Sequence, residues 1–167
     1  AEVNQLLAAA YDCALPEVVQ AGIDTYFNPA FDTLEPFPGV REMLLALRQQ
    51  YHLFLLTSGI PEAQQRKVKA LRFEDYFHEL LYAPLAQERA KYHAIKGLVQ
   101  RHALDFGEMV VIGDRITNEI VAGNQLGCYT IWIQQGECLG ILPETPDETP
   151  DLKTSRILDI PQLLTQL

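Results

Sequence analysis

The feature that most limits this chain's fold is an alternation of short unbroken apolar runs with helical patterns. Leu53-Phe54-Leu55-Leu56, Leu80-Leu81-Tyr82-Ala83, Met109-Val110-Val111-Ile112 and Tyr129-Thr130-Ile131-Trp132-Ile133 are each four or five residues long. Runs of that length are what strands covered on both faces require. Between them lie segments with a helical period: Pro61 to about Leu71, then a stretch presenting Ala94, Ile95, Leu98 and Val99 on one face. A third helix is predicted to end at Leu126-Gly127, and one upstream is marked by Val40, Met43, Leu44 and Leu47. Strand and helix alternating at such short spacing imply parallel strands joined by right-handed crossovers, an α/β doubly wound sheet. The stretch from Pro143 to Pro150, rich in proline and acid, reads as a surface loop, and Ile157, Leu158, Leu163 and Leu164 return to the core. Trp132, within a strand, also reads as core.

Ligands of such sheets bind beyond the carboxyl ends of the strands, so the polar residues just past each run are the candidates. Thr57-Ser58-Gly59 ends the first run ahead of a helix opened by Pro61. Two hydroxyls and free N–H groups there suit an oxyanion; the alternative is that Ser58 caps the helix. Asp114 follows Gly113 at the end of the third run, with Glu119 five residues on. A carboxylate at that position suits a hard divalent cation, and equally a turn aspartate followed by a first-turn glutamate. Lys91 opens the helix after the second run, where a solvated surface charge is the plain alternative.

Composition narrows the partners. Thirteen Lys and Arg against 22 Asp and Glu give a formal charge of -9, which repels phosphate backbones and anionic lipid. The expectation is no nucleic acid and no membrane, since no apolar run approaches the ~20 residues of a bilayer span. Ala1-Glu2-Val3-Asn4 shows no basic stretch leading into an apolar run, and Cys13, Cys128 and Cys138 form no C-x-x-C pair. A reducing cytoplasm is the expected compartment. His52, His78, His93 and His102 have no metal-ligand spacing.

Taken in order, these segments resemble the haloacid dehalogenase-like hydrolase superfamily, most closely its small phosphatases with a helical cap. Pro36 to Val40 is similar to the return from cap to core, and Leu55 to Gly59 resembles the second motif. Lys91 falls within about one residue of the third-motif lysine, and Gly113 to Ile120 resembles the fourth motif. The resemblance implies that Thr57, Ser58, Gly59 and Lys91 hold a phosphoryl group, and that Asp114 with Glu119 holds Mg²⁺. It implies a small phosphorylated substrate. It also implies a division into a helical cap remnant and linker over 1–38 and an α/β core over 39–167. Two departures stand out: Glu119 occupies a position where aspartate is common, and Tyr92 follows Lys91 where proline is usual.

In the family the nucleophile is the first carboxylate of an Asp-x-Asp motif on a strand central to the sheet. The aspartates here are 12, 24, 32, 75, 105, 114, 147, 151 and 159, and no two are separated by two positions. No residue of these 167 is therefore assigned as nucleophile, and weak or absent Mg²⁺ binding follows. The reading expects a phosphate-monoester hydrolase completed by residues outside this sequence. The competing reading is a non-catalytic phosphate-binding or protein-interaction domain on the same scaffold. It further expects the strands ending at Thr57 and Asp114 to pair directly or to leave an edge that another segment fills. Such an edge invites association with another chain.

Overall fold

The computed structural model describes residue 31 and residues 34–84, 87–136 and 140–167. Val3, Leu6, Leu7 and Ala10 recur at a helical period and Pro16 suits a helix's first turn, but the helices these predict, and most of the cap remnant, lie outside the described residues.

Helix α1 (Val40–Arg48) carries Glu42 in its first turn and Arg48 in its last, the charge order that the helix dipole favours. It leads into β1 (Phe54–Ser58), α2 (Pro61–Ala70), β2 (Glu79–Ala83) and α3 (Ala90–His102). Then follow β3 (Val110–Gly113), a single π-helical turn (Ile116–Ile120) continuing into α4 (Val121–Leu126), and β4 (Tyr129–Ile133). A short strand β5 (Leu152–Thr154) and helix α5 (Ile160–Leu164) close the order. The four apolar runs are thus β1 to β4, each within a residue or two of its expected bounds. β5 escaped the sequence reading because three residues flanked by polar ones are too few to show a period.

All pairings are parallel. β1 pairs with β2, with Phe54 opposite Glu79 and Ser58 opposite Ala83. β3 pairs with β4, Gly113 opposite Trp132, and β4 pairs with β5, Ile131 opposite Leu152. Among the described residues these are two sheets, β1-β2 and β3-β4-β5, rather than one. β1 and β3 do not pair. A cleft of about 540 Å³ lies between them, walled by Leu53–Leu56 of β1 and Val110–Ile112 of β3. An unbroken five-stranded sheet is not formed by the described residues, in line with the absence from the sequence of an apolar run able to sit between the two.

Helices cover both faces, as a doubly wound sheet demands. On one, Leu47 of α1 and Ile160 of α5 pack on Ile131 and Ile133, with Val110 and Leu152 at the margin. On the other, Ile95 of α3 and Ala122 of α4 pack with Cys128, against Leu56, Met109 and Val111. Val110 and Val111 serve opposite faces because strand side chains alternate. Ile131 is fully buried, and each such side chain contributes roughly 1.5–3 kcal/mol.

One polar residue is equally deep. Thr130 is fully buried, its N–H donating to Asp151 Oδ2 at 2.7 Å and its hydroxyl accepting from the Asp151 N–H at 3.1 Å. Asn124 lies beside it and donates to the carbonyls of Asp147 and Thr149 at 2.7 and 2.9 Å. These bonds satisfy the buried groups and tie down the 143–150 loop. At the amino ends of β1 and β2, His78 accepts from the Leu53 N–H through Nδ1 at 3.2 Å, and its Nε2 meets His52 Nδ1 at 3.0 Å. Sequence spacing gave no hint of that pair, which extends the β1-β2 ladder.

Candidate functional site

Helix α3 fixes which ends of the strands meet. At its tail, Arg101 and His102 contact Glu79, the first residue of β2, at 2.5 and 2.7 Å. At its head, Lys91 pairs with Glu119, just past the end of β3. The carboxyl ends of β1, β2 and β3 therefore face the same side, and the candidate residues gather there.

Ser58 ends β1, and the helix that follows has Ile60 at its N-cap position with no side-chain cap. The capping role open to Ser58 is not taken up, and among the described residues its hydroxyl has no hydrogen-bond partner. Thr57 donates to Gln64 Oε1 at 3.1 Å, which links strand to helix. Gly59 has φ +153° and donates its N–H to the Ala83 carbonyl at 3.2 Å. The turn needs glycine because L side chains avoid that backbone conformation.

Lys91 and Glu119 form a buried ion pair, their side chains 12% and 11% exposed. Burial pulls the Lys91 ammonium down from its usual range to about 8; Asp114 opposes that shift and the Arg115 charge adds to it. The plain reading of Lys91 as a solvated charge is excluded by this burial. Glu119 reaches Lys91 by folding across Gly113: a Cβ on Gly113 would stand 2.5 Å from Glu119 Cγ. The π turn at 116–120 carries Glu119, a local widening frequent at functional sites. The second carboxylate oxygen, Oε2, is buried and has no hydrogen-bond partner among the described residues.

Asp114 is half-buried, and among the described residues its carboxylate has no side-chain partner. Its backbone carbonyl accepts from Trp132 Nε1–H at 3.0 Å. No group of three or more His, Cys, Asp or Glu side chains poised for a metal occurs among the described residues. The donor set still fits Mg²⁺, which binds through one or two carboxylates and keeps waters and substrate oxygens for the rest. Asp114 is open, Glu119 Oε2 is unpartnered, and a Cβ on Gly136 would lie 3.0 Å from Asp114 Oδ2, so glycine there leaves room beside the carboxylate.

Arg89 and Gly136 were not singled out in the sequence, and Trp132 was read only as core. Arg89, at φ +54°, stacks 4.1 Å over Tyr92 and donates to Gln125 Oε1 at 2.7 Å, bracing the turn that carries Lys91. Trp132 of β4 and Gly136, three residues beyond that strand, adjoin Asp114. A buried indole N–H needs a partner, which is the one signal that could have pointed to Trp132.

A two-sided α/β core with hydroxyls, a buried lysine and acids at the carboxyl ends of parallel strands defines the class: a doubly wound α/β protein. Residues 5–133 match the family model described as haloacid dehalogenase-like hydrolase, and the chain belongs to that family. It is 29% identical over 124 residues to the glyceraldehyde 3-phosphate phosphatase of Pyrococcus abyssi, covering 73% of this chain and 52% of that protein. It is 27% identical over 154 residues to the protein of the same name from Methanopyrus kandleri, covering 91% of this chain and 66% of that one. The chain thus spans about half to two thirds of the length of these curated relatives. Among solved structures, the L-2-haloacid dehalogenase RSc1362 superposes with a TM-score of 0.71 at 19% identity, covering 96% of this chain and 68% of that one. The 2-haloacid dehalogenase of Pseudomonas syringae gives 0.61 at 22%, covering 78% and 53%. At such identity these structures speak for the fold alone. Among the described residues no helix is long and apolar enough to cross a membrane.

Proposed function

We propose that this site belongs to a Mg²⁺-dependent phosphate-monoester hydrolase acting on a small phosphorylated metabolite of the kind named in its curated relatives. The buried Lys91–Glu119 pair beside Asp114 carries the reading. A lysine placed among buried side chains and still facing carboxylates suits an anionic ligand bridging it to a cation. Lys91 and the Ser58 hydroxyl hold the phosphoryl oxygens, with Thr57 and Gly59 shaping the turn. Asp114 supplies the metal's principal carboxylate, with Glu119 Oε2 behind it. Mg²⁺ held by Asp114 and Glu119 would supply neutralisation of negative charge on the phosphoryl oxygens. Lys91 neutralises charge spread over the same oxygens, and exclusion of water from its flank strengthens that attraction.

The attacking carboxylate is assigned to none of the 167 residues, because no Asp-x-Asp occurs among them. The same fact supports the second reading, a phosphate-binding domain without chemistry. An assay with an aryl phosphate and Mg²⁺, together with calorimetric titration of inorganic phosphate, separates the outcomes. Phosphate binding lost in Ser58→Ala and Lys91→Ala, with turnover near background, is expected of the chain as it stands. Robust turnover abolished by Asp114→Asn would overturn the assignment of the nucleophile elsewhere. Phosphate binding untouched by either substitution would overturn the site itself.

A further inference from the structure

We infer that the end of β4 is a clamp that positions Asp114, with Trp132 holding its backbone and Gly136 shaping the space of its carboxylate. The inference rests on the reading of Asp114 as a metal ligand. An open carboxylate on the residue after a strand has two side-chain torsions to fix, and no side chain among the described residues bonds it. The restraint comes instead from the neighbouring strand. Trp132 is 3% exposed and packed against Ile116 and Ile120, so its indole is rigid. Its Nε1–H donates to the Asp114 carbonyl at 3.0 Å, fixing the peptide that aims the side chain.

Two residues past β4 the chain is tied again. The Gln134 N–H donates to the Thr154 carbonyl at 2.7 Å, and Gln135 Nε2 donates to the Ser155 carbonyl at 2.6 Å. With Trp132 and these bonds in place, the backbone is brought back at Gly136 toward Asp114. Gly136 has φ +79°, and a methyl there would meet Asp114 Oδ2 at 3.0 Å, closer than nearly all real contacts of that kind. Trp132 and Gly136 are positioning residues: neither need touch substrate or metal.

The single tryptophan of the chain makes the clamp observable. In ¹⁵N-labelled protein its indole N–H gives one resonance beside Asp114, and Mn²⁺, added alone in place of Mg²⁺, broadens nuclei near its site. The expected result is selective broadening of that resonance, abolished by Asp114→Asn and requiring about tenfold more Mn²⁺ in Gly136→Ala, as for other groups that orient a ligand. The rest of the Gly136→Ala spectrum should overlay the parent, separating loss of aim from loss of fold. Equal Mn²⁺ sensitivity of Gly136→Ala and the parent, with Asp114→Asn inert, overturns the clamp and leaves the metal reading intact. Broadening that survives Asp114→Asn, or that never becomes selective, overturns both.

Discussion

Removing one member of the Lys91–Glu119 pair should cost far more stability than removing both. Their side chains are 12% and 11% exposed, and Glu119 already has one oxygen, Oε2, buried without a partner. Lys91→Met would leave a carboxylate with neither oxygen bonded in a site closed to water. Breaking a buried pair in this way costs about 3–5 kcal/mol. For a chain of this size each kcal/mol lowers the melting temperature by roughly 2–4 °C, so a fall of about 6–20 °C is expected. Glu119→Leu strands the ammonium instead and should cost a similar amount, tempered by the ease with which a buried lysine gives up its proton. The double variant Lys91→Met/Glu119→Leu removes both charges and replaces them with apolar volume at the cleft wall. It should lie within about 1 kcal/mol of the parent, because desolvated pairs and apolar replacements come out nearly even. Urea unfolding followed by circular dichroism on all four proteins gives the coupling energy directly. Additive effects, or single substitutions each costing less than about 1 kcal/mol, would refute the claim that the pair is buried and mutually dependent.

Four further expectations follow from the same structure. Since burial holds Lys91 near 8, phosphate affinity should fall above that pH as the ammonium is lost, measurable by calorimetry across pH 8–9.5, where the phosphate charge is constant. Stability should run in the opposite sense: between about 8 and 10.5 the unfolded chain binds more protons at this residue, so its contribution rises with pH. Gly123→Ala places a methyl 2.6 Å from Thr130 Cγ2 and 3.1 Å from Val111 Cβ, and should destabilise by about 1–3 kcal/mol in urea unfolding. Cys128, pushed up to about 11 by burial, should resist iodoacetamide at pH 7.5 in the folded protein, read by peptide mass spectrometry, and react once denatured.

The order of strands and helices was legible in the sequence because each rests on a local rule. Leu53 to Leu56 is short, apolar and bounded by turn residues, which marks a strand, although β1 is only half-buried along its length, and Gly127 stops α4 wherever α4 packs. The positions of Ser58, Lys91 and Asp114 followed from one general property of parallel sheets, that functional groups stand at the carboxyl ends. Their division of labour did not follow. Ser58 by itself read more readily as the cap of α2 than as an anion ligand, and only the chain's path shows Ile60 at the cap and, among the described residues, the Ser58 hydroxyl left over.

What tertiary structure alone decided is the set of contacts between residues far apart in the chain. Lys91 and Glu119 are 28 residues apart, and nothing local to either sequence distinguishes a buried pair from two solvated charges. Their meeting depends on α3 crossing from β2 toward β3 and on Gly113 letting Glu119 fold back. Trp132 read as core, which it is, yet its indole N–H also holds the Asp114 carbonyl 18 residues away, a bond that exists because β4 lies beside β3. Periodicity reports which way a side chain faces within its own element. Partners, burial and proton affinity are set by which elements are neighbours, and that is a property of the packed chain.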